Sequence, residues 1–433
     1  MHSIDYVLSR SKYIILLITS LCLILIFSCK KDKNIDAERE EIVSPTTGTR
    51  PEFTLDSIFL YAKQIYLWNE VLPEYKDFKP REKYLSISKP EIVGFKKELF
   101  DITQLKVNPA TGKPYELSFS GSAKYSYLQS GRANAGTSQA GSLFGDVIMS
   151  HTIIESGDKK IAYVALNGFP SLISIKSKLD NIFEEISVEK PKYFILDLRY
   201  NRGGYVETAE YLVNLMVPNT LNGKVMYSEQ FNPTLQQGKA SILKYQPYLD
   251  ENGKAVIFNG RKATMADVDY TEKSNTYRFD KKGKLETIED IYVITSNETA
   301  SASELLISCL KPYFDVKLVG GRTYGKPIGF FGINIDQYAV YLSSFLIKNA
   351  DGWYDYFNGI EADLPVAVAE NAPLGDPNEL CLKTAISAIN SNVKSPTKKT
   401  AVIPKQSTVT STFIAPKIET GAMENRLRLK FNP

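Results

Sequence analysis

The hydrophobic pattern of residues 291–310 predicts a strand that leads directly into a helix. The run Ile-Tyr-Val-Ile-Thr at 291–295 is typical of a buried strand. After it, apolar residues recur at the three- and four-residue spacing of one helical face, at Ala302, Leu305, Leu306, Cys309 and Leu310. A hydroxyl group, that of Ser301, therefore stands at the start of the predicted helix. The short run 316–320 predicts the next strand.

An earlier segment has the same order of elements. The apolar run from Lys192 to Leu198 predicts a strand covered on both faces, and helical spacing returns over 206–216. Gly203 and Gly204 lie in the turn between them, where a bare backbone can approach a substrate carbonyl closely. A strand–Gly-Gly–helix unit also fits phosphate binding, but the chain has neither GxGxxG nor GxxxxGK[ST]. We therefore expect no nucleotide site.

The position of Ser301 allows two interpretations. A serine at a helix start is most often only a cap. The same position places backbone N–H groups and the positive end of the helix dipole beside the hydroxyl, where they stabilise a developing oxyanion. A nucleophilic serine also needs a base. His151 lies in an alternating run that predicts a half-buried strand, whereas Lys326 follows the strand 316–320 in the turn Arg-Thr-Tyr-Gly-Lys.

A lysine acts as a base only in its neutral form, which an apolar surrounding favours. Tyr324, Ile328, Phe330 and Phe331 flank Lys326 and can supply such a surrounding. Asp197 and Arg199 are also candidates for catalysis, but we expect them to form a buried structural pair.

Taken together, these motifs resemble one family. Thr-Ala-Ser-Ala-Ser-Glu at 299–304, Tyr-Gly-Lys at 324–326 and Leu-Asp-Leu-Arg-Tyr-Asn-Arg-Gly-Gly at 196–204 resemble the carboxy-terminal processing (tail-specific) proteases, the S41 serine peptidases. The resemblance covers roughly residues 54–389, and the motifs stand in the family's order. It implies an α/β protein with a crotonase-like (ClpP-like) ββα spiral core, a small N-terminal helical region and a β-rich insertion.

The resemblance also implies a role for each matched residue. Ser301 would be the nucleophile and Lys326 the general base of an endopeptidase that works through an acyl-enzyme. The oxyanion hole would use the N–H of Ala302 and that of Gly203 or Gly204, between which the sequence does not decide. Neither a metal nor another cofactor is implied. The substrate would be a peptide or an unfolded protein.

Two positions depart from the family pattern. Phe330 stands where many members have a glutamine that orients the lysine, and Pro312 stands where some have an acidic residue. Glu304, one helical turn after Ser301, is a substitute for that acid, although a capping role at the helix start is the stronger expectation. The substitutions at Phe330 and Pro327 leave open a second function, that of a catalytically inactive peptide- or glycan-binding lipoprotein on the same fold. An esterase with the same Ser/Lys dyad is a third possibility.

The N-terminus indicates export and a lipid anchor. Arg10 and Lys12 precede the apolar run 13–27, and Ile-Phe-Ser-Cys at 26–29 resembles a bacterial lipobox. Cys29 would be lipidated and hold the protein on a bacterial envelope membrane, with the outer membrane favoured. The helical region that follows the tether resembles that of anchored members from the Bacteroidetes group. The predicted segments are 1–29 lipoprotein signal peptide, 30–52 tether, 53–125 N-terminal helical region, 126–391 catalytic core with an insertion near 218–290, and 392–433 C-terminal tail.

Chain length and net charge limit the domains and the binding partners that we expect. A chain of 433 residues accommodates two or three domains, and a net charge of +3 without a basic block gives no reason to expect nucleic acid. A PDZ domain, which docks the substrate's C-terminus in typical processing proteases, needs about 80 residues. Only 129–161 is available before the first core strand, so we expect that domain to be absent or reduced to a hairpin.

Overall fold

A computed structural model describes residues 44–391, apart from 88, 120, 133–146 and 251–252. The predicted signal peptide, the tether up to residue 43 and the C-terminal tail lie outside the described residues. Within the described part of the chain, no helix combines the length and the apolar character needed to cross a membrane.

The α-helices of this part of the chain carry the labels used below. They are α1 Arg50–Ile65, α2 Tyr75–Phe78, α3 Pro80–Tyr84, α4 Ile92–Thr103, α5 Leu172–Glu189, α6 Val206–Met216, α7 Pro233–Gln236, α8 Ala302–Leu310 and α9 Leu380–Asn390. Short 3-10 turns lie at Asn69–Val71, Asn219–Leu221, Ser241–Tyr245 and Met265–Asp267.

The strands are numbered in the same way. They are β1 Val107–Asn108, β2 Lys113–Pro114, β3 Ser118–Phe119, β4 Ser122–Ala123, β5 Tyr127–Ser130, β6 Ile148–Ser156, β7 Lys159–Leu166, β8 Tyr193–Asp197, β9 Val225–Phe231, β10 Ile257–Phe258, β11 Arg261–Lys262, β12 Thr276–Arg278, β13 Asp290–Thr295, β14 Val316–Gly320, β15 Ile328–Gly329, β16 Gly332–Ile335, β17 Tyr338–Tyr341, β18 Phe345–Asn349 and β19 Leu364–Pro365.

A six-stranded mixed sheet forms the centre of the fold, in the order β19-β14-β13-β8-β7-β6. All neighbours pair in parallel except β6 and β7, which form an antiparallel hairpin. The predicted α/β class is therefore confirmed. Because β8 and β13 are parallel neighbours, the loops that follow them leave the same edge of the sheet. There the N–H of Leu198 donates to Ile294 and that of Ala300 to Asn201.

Alternating residues of the central strands pack into two layers. One set, represented by Tyr163, Ile195 and Ile294, lies against α9 through Cys381 and Leu382. The opposite set belongs to a larger core, which also contains the buried faces of α5, α6 and α8. Both faces of the sheet are thus covered, which explains why the sequence of β8 and β13 is almost continuously apolar.

The N-terminal region contains more than helices. Its helices end at Thr103, and the hairpins β1-β2 and β3-β4 follow. Strand β5 then joins β16 and β17 in a three-stranded antiparallel sheet. The chain between Ser130 and Ile148 is much shorter than the roughly 80 residues expected for a PDZ domain. The expectation that the PDZ domain is absent or reduced therefore rests mainly on the length of this segment.

The segment predicted as an insertion contributes to a shared sheet. Strands β9 and β12 pair with each other, and β9 also pairs with β18 in the order β12-β9-β18-β15. Two strands of this antiparallel sheet thus come from 218–290, and the other two come from the chain after Lys326.

A buried ion cluster joins the central sheet to α9. The Arg199 guanidinium donates to both carboxylate oxygens of Asp197, at 2.8–3.1 Å, and to both oxygens of Glu379, at 2.8 and 2.9 Å. Tyr163 donates its hydroxyl to Asp197 at 2.9 Å. Asp197 and Arg199 therefore form the buried structural pair expected from the sequence, and α9 is held to the strand that leads to the Gly-Gly turn.

Replacement of Arg199 by methionine is expected to destabilise the protein strongly. Arg199→Met leaves two buried carboxylates without their cation, and the free energy of unfolding should fall by about 3–5 kcal/mol. The control Lys192→Met removes an exposed ion pair with Glu289 and should leave it nearly unchanged. Urea unfolding measures both. Equal values for the two variants would contradict the structural importance of the cluster.

Candidate active site

Ser301 has an unusual backbone conformation immediately before α8. Its φ of 61° and ψ of −118° lie in a region that residues with a side chain rarely occupy. The residue is 0% exposed. Its Oγ makes no hydrogen bond to the helix start and has no hydrogen-bond partner among the described residues. Although Ser301 and Glu304 have a capping-box arrangement, the serine hydroxyl is thus not fixed by a hydrogen bond to the helix, and the strained backbone is a feature found at functional sites.

The Glu304 carboxylate accepts hydrogen bonds from two parts of the chain. Its Oε2 accepts from the backbone N–H of Ser301 at 3.0 Å and from that of Lys326 at 2.9 Å. Its Oε1 accepts from the N–H of Gly325 at 2.6 Å and from the Thr323 hydroxyl at 2.5 Å. The capping role expected for Glu304 is confirmed, and the same carboxylate also binds the turn that carries Lys326.

This shared acceptor limits the separation of the two predicted catalytic residues. Because both bonds end on Oε2, the backbone nitrogens of Ser301 and Lys326 lie no farther apart than the sum of 3.0 Å and 2.9 Å. Burial raises the pKa of the Glu304 carboxyl above its ordinary value, and the hydrogen bonds from Thr323, Gly325 and Lys326 and the nearby Lys124 ammonium oppose that rise.

The side chain of Lys326 lies against an aromatic surface. Its Nζ is 4.5 Å from the centre of the Phe330 ring, and the side chain is largely buried. Phe330 is itself buried and contacts the rings of Tyr127 and Tyr341 edge-on, at 5.8 and 5.7 Å. Phe330 therefore supplies the apolar wall expected from the sequence. The backbone of the lysine turn is oriented by Glu304 instead of by a glutamine.

The Gly-Gly turn lies directly beside Ser301. A Cβ atom on Gly203 would come within 2.8 Å of the Ser301 Cβ and within 3.0 Å of the Ala302 nitrogen. The N–H of Gly203 already donates to Asn201 Oδ1 at 2.9 Å. For the N–H groups of Gly204 and Ala302, by contrast, the described residues provide no acceptor. These two donors are the better candidates for an oxyanion hole.

Residues 160–366 match the model of Peptidase family S41. Over these residues, which include the Gly-Gly turn, Ser301 and Lys326, the chain is similar to the S41 peptidases. A relative, carboxyl-terminal-processing peptidase 1 from the chloroplast of Arabidopsis thaliana, is 27% identical over 179 residues. The match covers 40% of this chain and 26% of the length of that protein.

Two solved structures resemble the chain at low sequence identity. A putative S41 protease from Bacteroides fragilis is 21% identical with a TM-score of 0.43, over 58% of this chain and 60% of that one. A putative peptidase from Parabacteroides merdae is 13% identical with a TM-score of 0.46, over 80% of this chain and 100% of that one.

Other polar or titratable groups lie away from this site or form contacts elsewhere. His151 is in β6, level with Val293 of β13 but three strands away, which is about 14 Å. It is more exposed than expected, and its Nε2 is 3.7 Å from Glu185.

The Asp363 carboxylate accepts a hydrogen bond from the backbone N–H of Leu318, which is a structural contact. Burial raises the pKa of the Cys309 thiol well above its ordinary value, so it is no nucleophile. The described residues include no group of three or more His, Cys, Asp or Glu side chains arranged to hold a metal ion.

Sequence reasoning missed one residue next to the site. Lys124 precedes the family match, yet its Nζ donates to the backbone oxygens of Tyr324 and Phe357, at 2.9 and 2.7 Å. Its sequence neighbours, Gly-Ser-Ala-Lys-Tyr-Ser, show no motif or spacing that relates it to the serine. Only the folded chain brings it there.

A methyl group on Gly203 is expected to displace the serine loop. Gly223 is a matched control, because it has a similar positive φ, 79° against 97°, but open space around its added Cβ. Gly223→Ala should lower the free energy of unfolding by about 1–2 kcal/mol through backbone strain alone. Gly203→Ala should lower the free energy of unfolding by about 1–3 kcal/mol more than that, because the added methyl group overpacks the site. Urea unfolding compares them, and equal losses would contradict the close packing.

Proposed function

We propose that this protein is a serine endopeptidase whose catalytic dyad is Ser301 and Lys326. The observation that carries the proposal is the Glu304 carboxylate, which ties the N–H of Ser301 and the N–H of Lys326 to one oxygen atom. The serine hydroxyl next to this anchor has no other hydrogen-bond partner in the described part of the chain. An ordinary capping serine would use its hydroxyl on the helix.

In the first step, neutral Lys326 takes the proton from the Ser301 hydroxyl as the serine oxygen bonds to the scissile carbonyl carbon. The resulting oxyanion accepts hydrogen bonds from the N–H groups of Ala302 and Gly204. Collapse breaks the carbon–nitrogen bond, and Lys326 returns its proton to the leaving amine. A water molecule then attacks the acyl-enzyme. Lys326 takes a proton from that water and passes it to the Ser301 oxygen as the carbon–oxygen bond of the acyl-enzyme breaks, which releases the carboxylic acid product and free Ser301.

The substrate class follows from the same geometry and from the relatives. The Arabidopsis relative is by name a carboxyl-terminal-processing peptidase, and a peptide or unfolded protein in extended form suits such a site. Ser301 is 0% exposed, so a substrate reaches it only when the covering residues move. Because the segment between β5 and β6 is too short for a complete PDZ domain, we propose cleavage without selection for C-terminal tails.

Loss of either dyad residue is expected to abolish cleavage. Versions of the protein that begin at residue 30 are incubated with casein, and the products are followed by mass spectrometry over a pH series. Wild type should cleave faster as pH rises, because a basic lysine must lose its proton. Ser301→Ala and Lys326→Met should lose at least about 10²-fold in rate. Ser308→Ala is the matched control, since it removes another buried hydroxyl without a hydrogen-bond partner, from the same helix.

The same experiment separates this proposal from its alternatives. Cleavage by wild type and Ser308→Ala, with none by the two dyad variants, supports the Ser/Lys peptidase. If no version cleaves casein, although circular dichroism shows that each is folded, the result favours a binding protein. Turnover of ester substrates without peptide cleavage favours an esterase.

We also propose that the protein is held on a bacterial envelope membrane by a lipid on Cys29. The support is the sequence alone, since residues 1–29 lie outside the described residues. Cys29→Ser should move the protein from the membrane fraction to the soluble fraction and abolish incorporation of radiolabelled palmitate. Cys22→Ser, within the apolar run, is the matched control and should change neither. Equal palmitate labelling of both variants would contradict a lipid on Cys29.

A further inference from the structure

Lys124 is a partly buried cation that contacts the carbonyl groups of the lysine turn, whose N–H groups contact Glu304. Its Nζ donates to the backbone oxygen of Tyr324 at 2.9 Å and to that of Phe357 at 2.7 Å. It also lies 4.6 Å from the centre of the Tyr324 ring. In return, the Tyr324 hydroxyl donates to the backbone oxygen of Lys124 at 3.2 Å. The two residues are therefore joined through both their side chains and their backbones.

The next residue, Tyr125, extends this contact by one position. Its hydroxyl donates to the backbone oxygen of Gly325 at 2.6 Å, whereas the N–H of Gly325 donates to Glu304. The peptide groups before Lys326 are thus held from both sides. The helix that starts at the serine binds the N–H groups, and the segment before β5 binds the carbonyl groups. A buried carbonyl that loses its donor is costly, so the contact resists displacement of the turn.

Charge makes Lys124 and Glu304 interdependent. Burial lowers the pKa of Lys124 to about 8, while the Glu304 carboxylate acts in the opposite direction and Arg322 acts in the same direction as burial. Lys124 is therefore still protonated at neutral pH. The partly buried Lys124 ammonium offsets part of the cost of desolvating the buried Glu304 carboxylate, and its removal would leave that carboxylate less well compensated.

We infer that Lys124 is a positioning residue for catalysis: it holds the turn from Tyr324 to Lys326 against Glu304, so that the Lys326 amine is presented to Ser301. The inference rests on the proposed function. It assigns a direct part in building the site to the region before the S41 match, which begins at residue 160, after Lys124.

The test compares Lys124→Met with Lys281→Met. Lys281 is a matched control, because it is also a largely buried lysine whose Nζ donates to two backbone oxygens, those of Leu215 and Leu285. Burial lowers its pKa as well. Two quantities are measured for both variants and for wild type: the rate at which a fluorophosphonate labels Ser301, and the hydrogen–deuterium exchange of peptides that cover 322–328.

We expect Lys124→Met to slow labelling by about 10²-fold, the usual effect of a misplaced catalytic group. Exchange over 322–328 should become faster in this variant, because the N–H groups of Gly325 and Lys326 lose their fixed position on Glu304. Lys281→Met should show neither change, even if its melting temperature falls equally. Labelling and exchange that match Lys281→Met would overturn the inference.

The same measurements distinguish failure of the proposed peptidase function from failure of the inference about Lys124. If wild type is not labelled, Ser301 is not an activated nucleophile, and exchange over 322–328 still decides whether Lys124 positions the turn. If Lys124→Met does not fold, Tyr125→Phe removes one hydrogen bond to the same turn and keeps the ring. Faster exchange over 322–328 in Tyr125→Phe than in Lys281→Met would support the inference, and equal exchange would overturn it.

Discussion

The site depends on one buried carboxylate that must be satisfied by donors from two separate segments. Glu304 is fully buried and accepts from three backbone N–H groups and one hydroxyl. A buried carboxylate that lost part of this set would carry an uncompensated desolvation cost. The start of α8 and the lysine turn are therefore coupled, and neither can shift without breaking bonds to the same group. A small change in either segment is expected to affect both Ser301 and Lys326.

The central sheet makes this coupling possible. Because β8 and β13 are parallel neighbours, the Gly-Gly turn and the serine loop meet at one edge, and the absence of a side chain on Gly203 lets them touch. The Arg199 cluster fixes the strand below that turn to α9. On the other side, Lys124 and Tyr125 hold the lysine turn from a segment that lies outside the family match. The site is thus assembled from parts of the chain that are distant in sequence.

The elements around the site could be predicted because their signals are local. The apolar run 291–295 lies within β13, and the helical spacing over 206–216 corresponds to α6, with the same first and last residues. Each pattern reflects burial of one strand or one helix, which neighbouring residues report directly. The second role of Glu304 could not be predicted from the sequence. Its position three residues after Ser301 predicted a cap, but nothing local indicated that the same carboxylate would also bind Gly325 and Lys326.

By itself, the sequence determined the α/β class, the strand–helix units, the motif that marks Ser301 and the resemblance to the S41 peptidases. Only the tertiary structure decided that Phe330 lies under the Lys326 amine, that the N–H of Gly203 is occupied by Asn201, and that Lys124 belongs beside the site. The physical reason is the range of the interactions. Periodic burial is encoded over a few neighbouring residues, whereas donors and acceptors of a buried carboxylate or ammonium come from any segment that packing brings within about 3 Å.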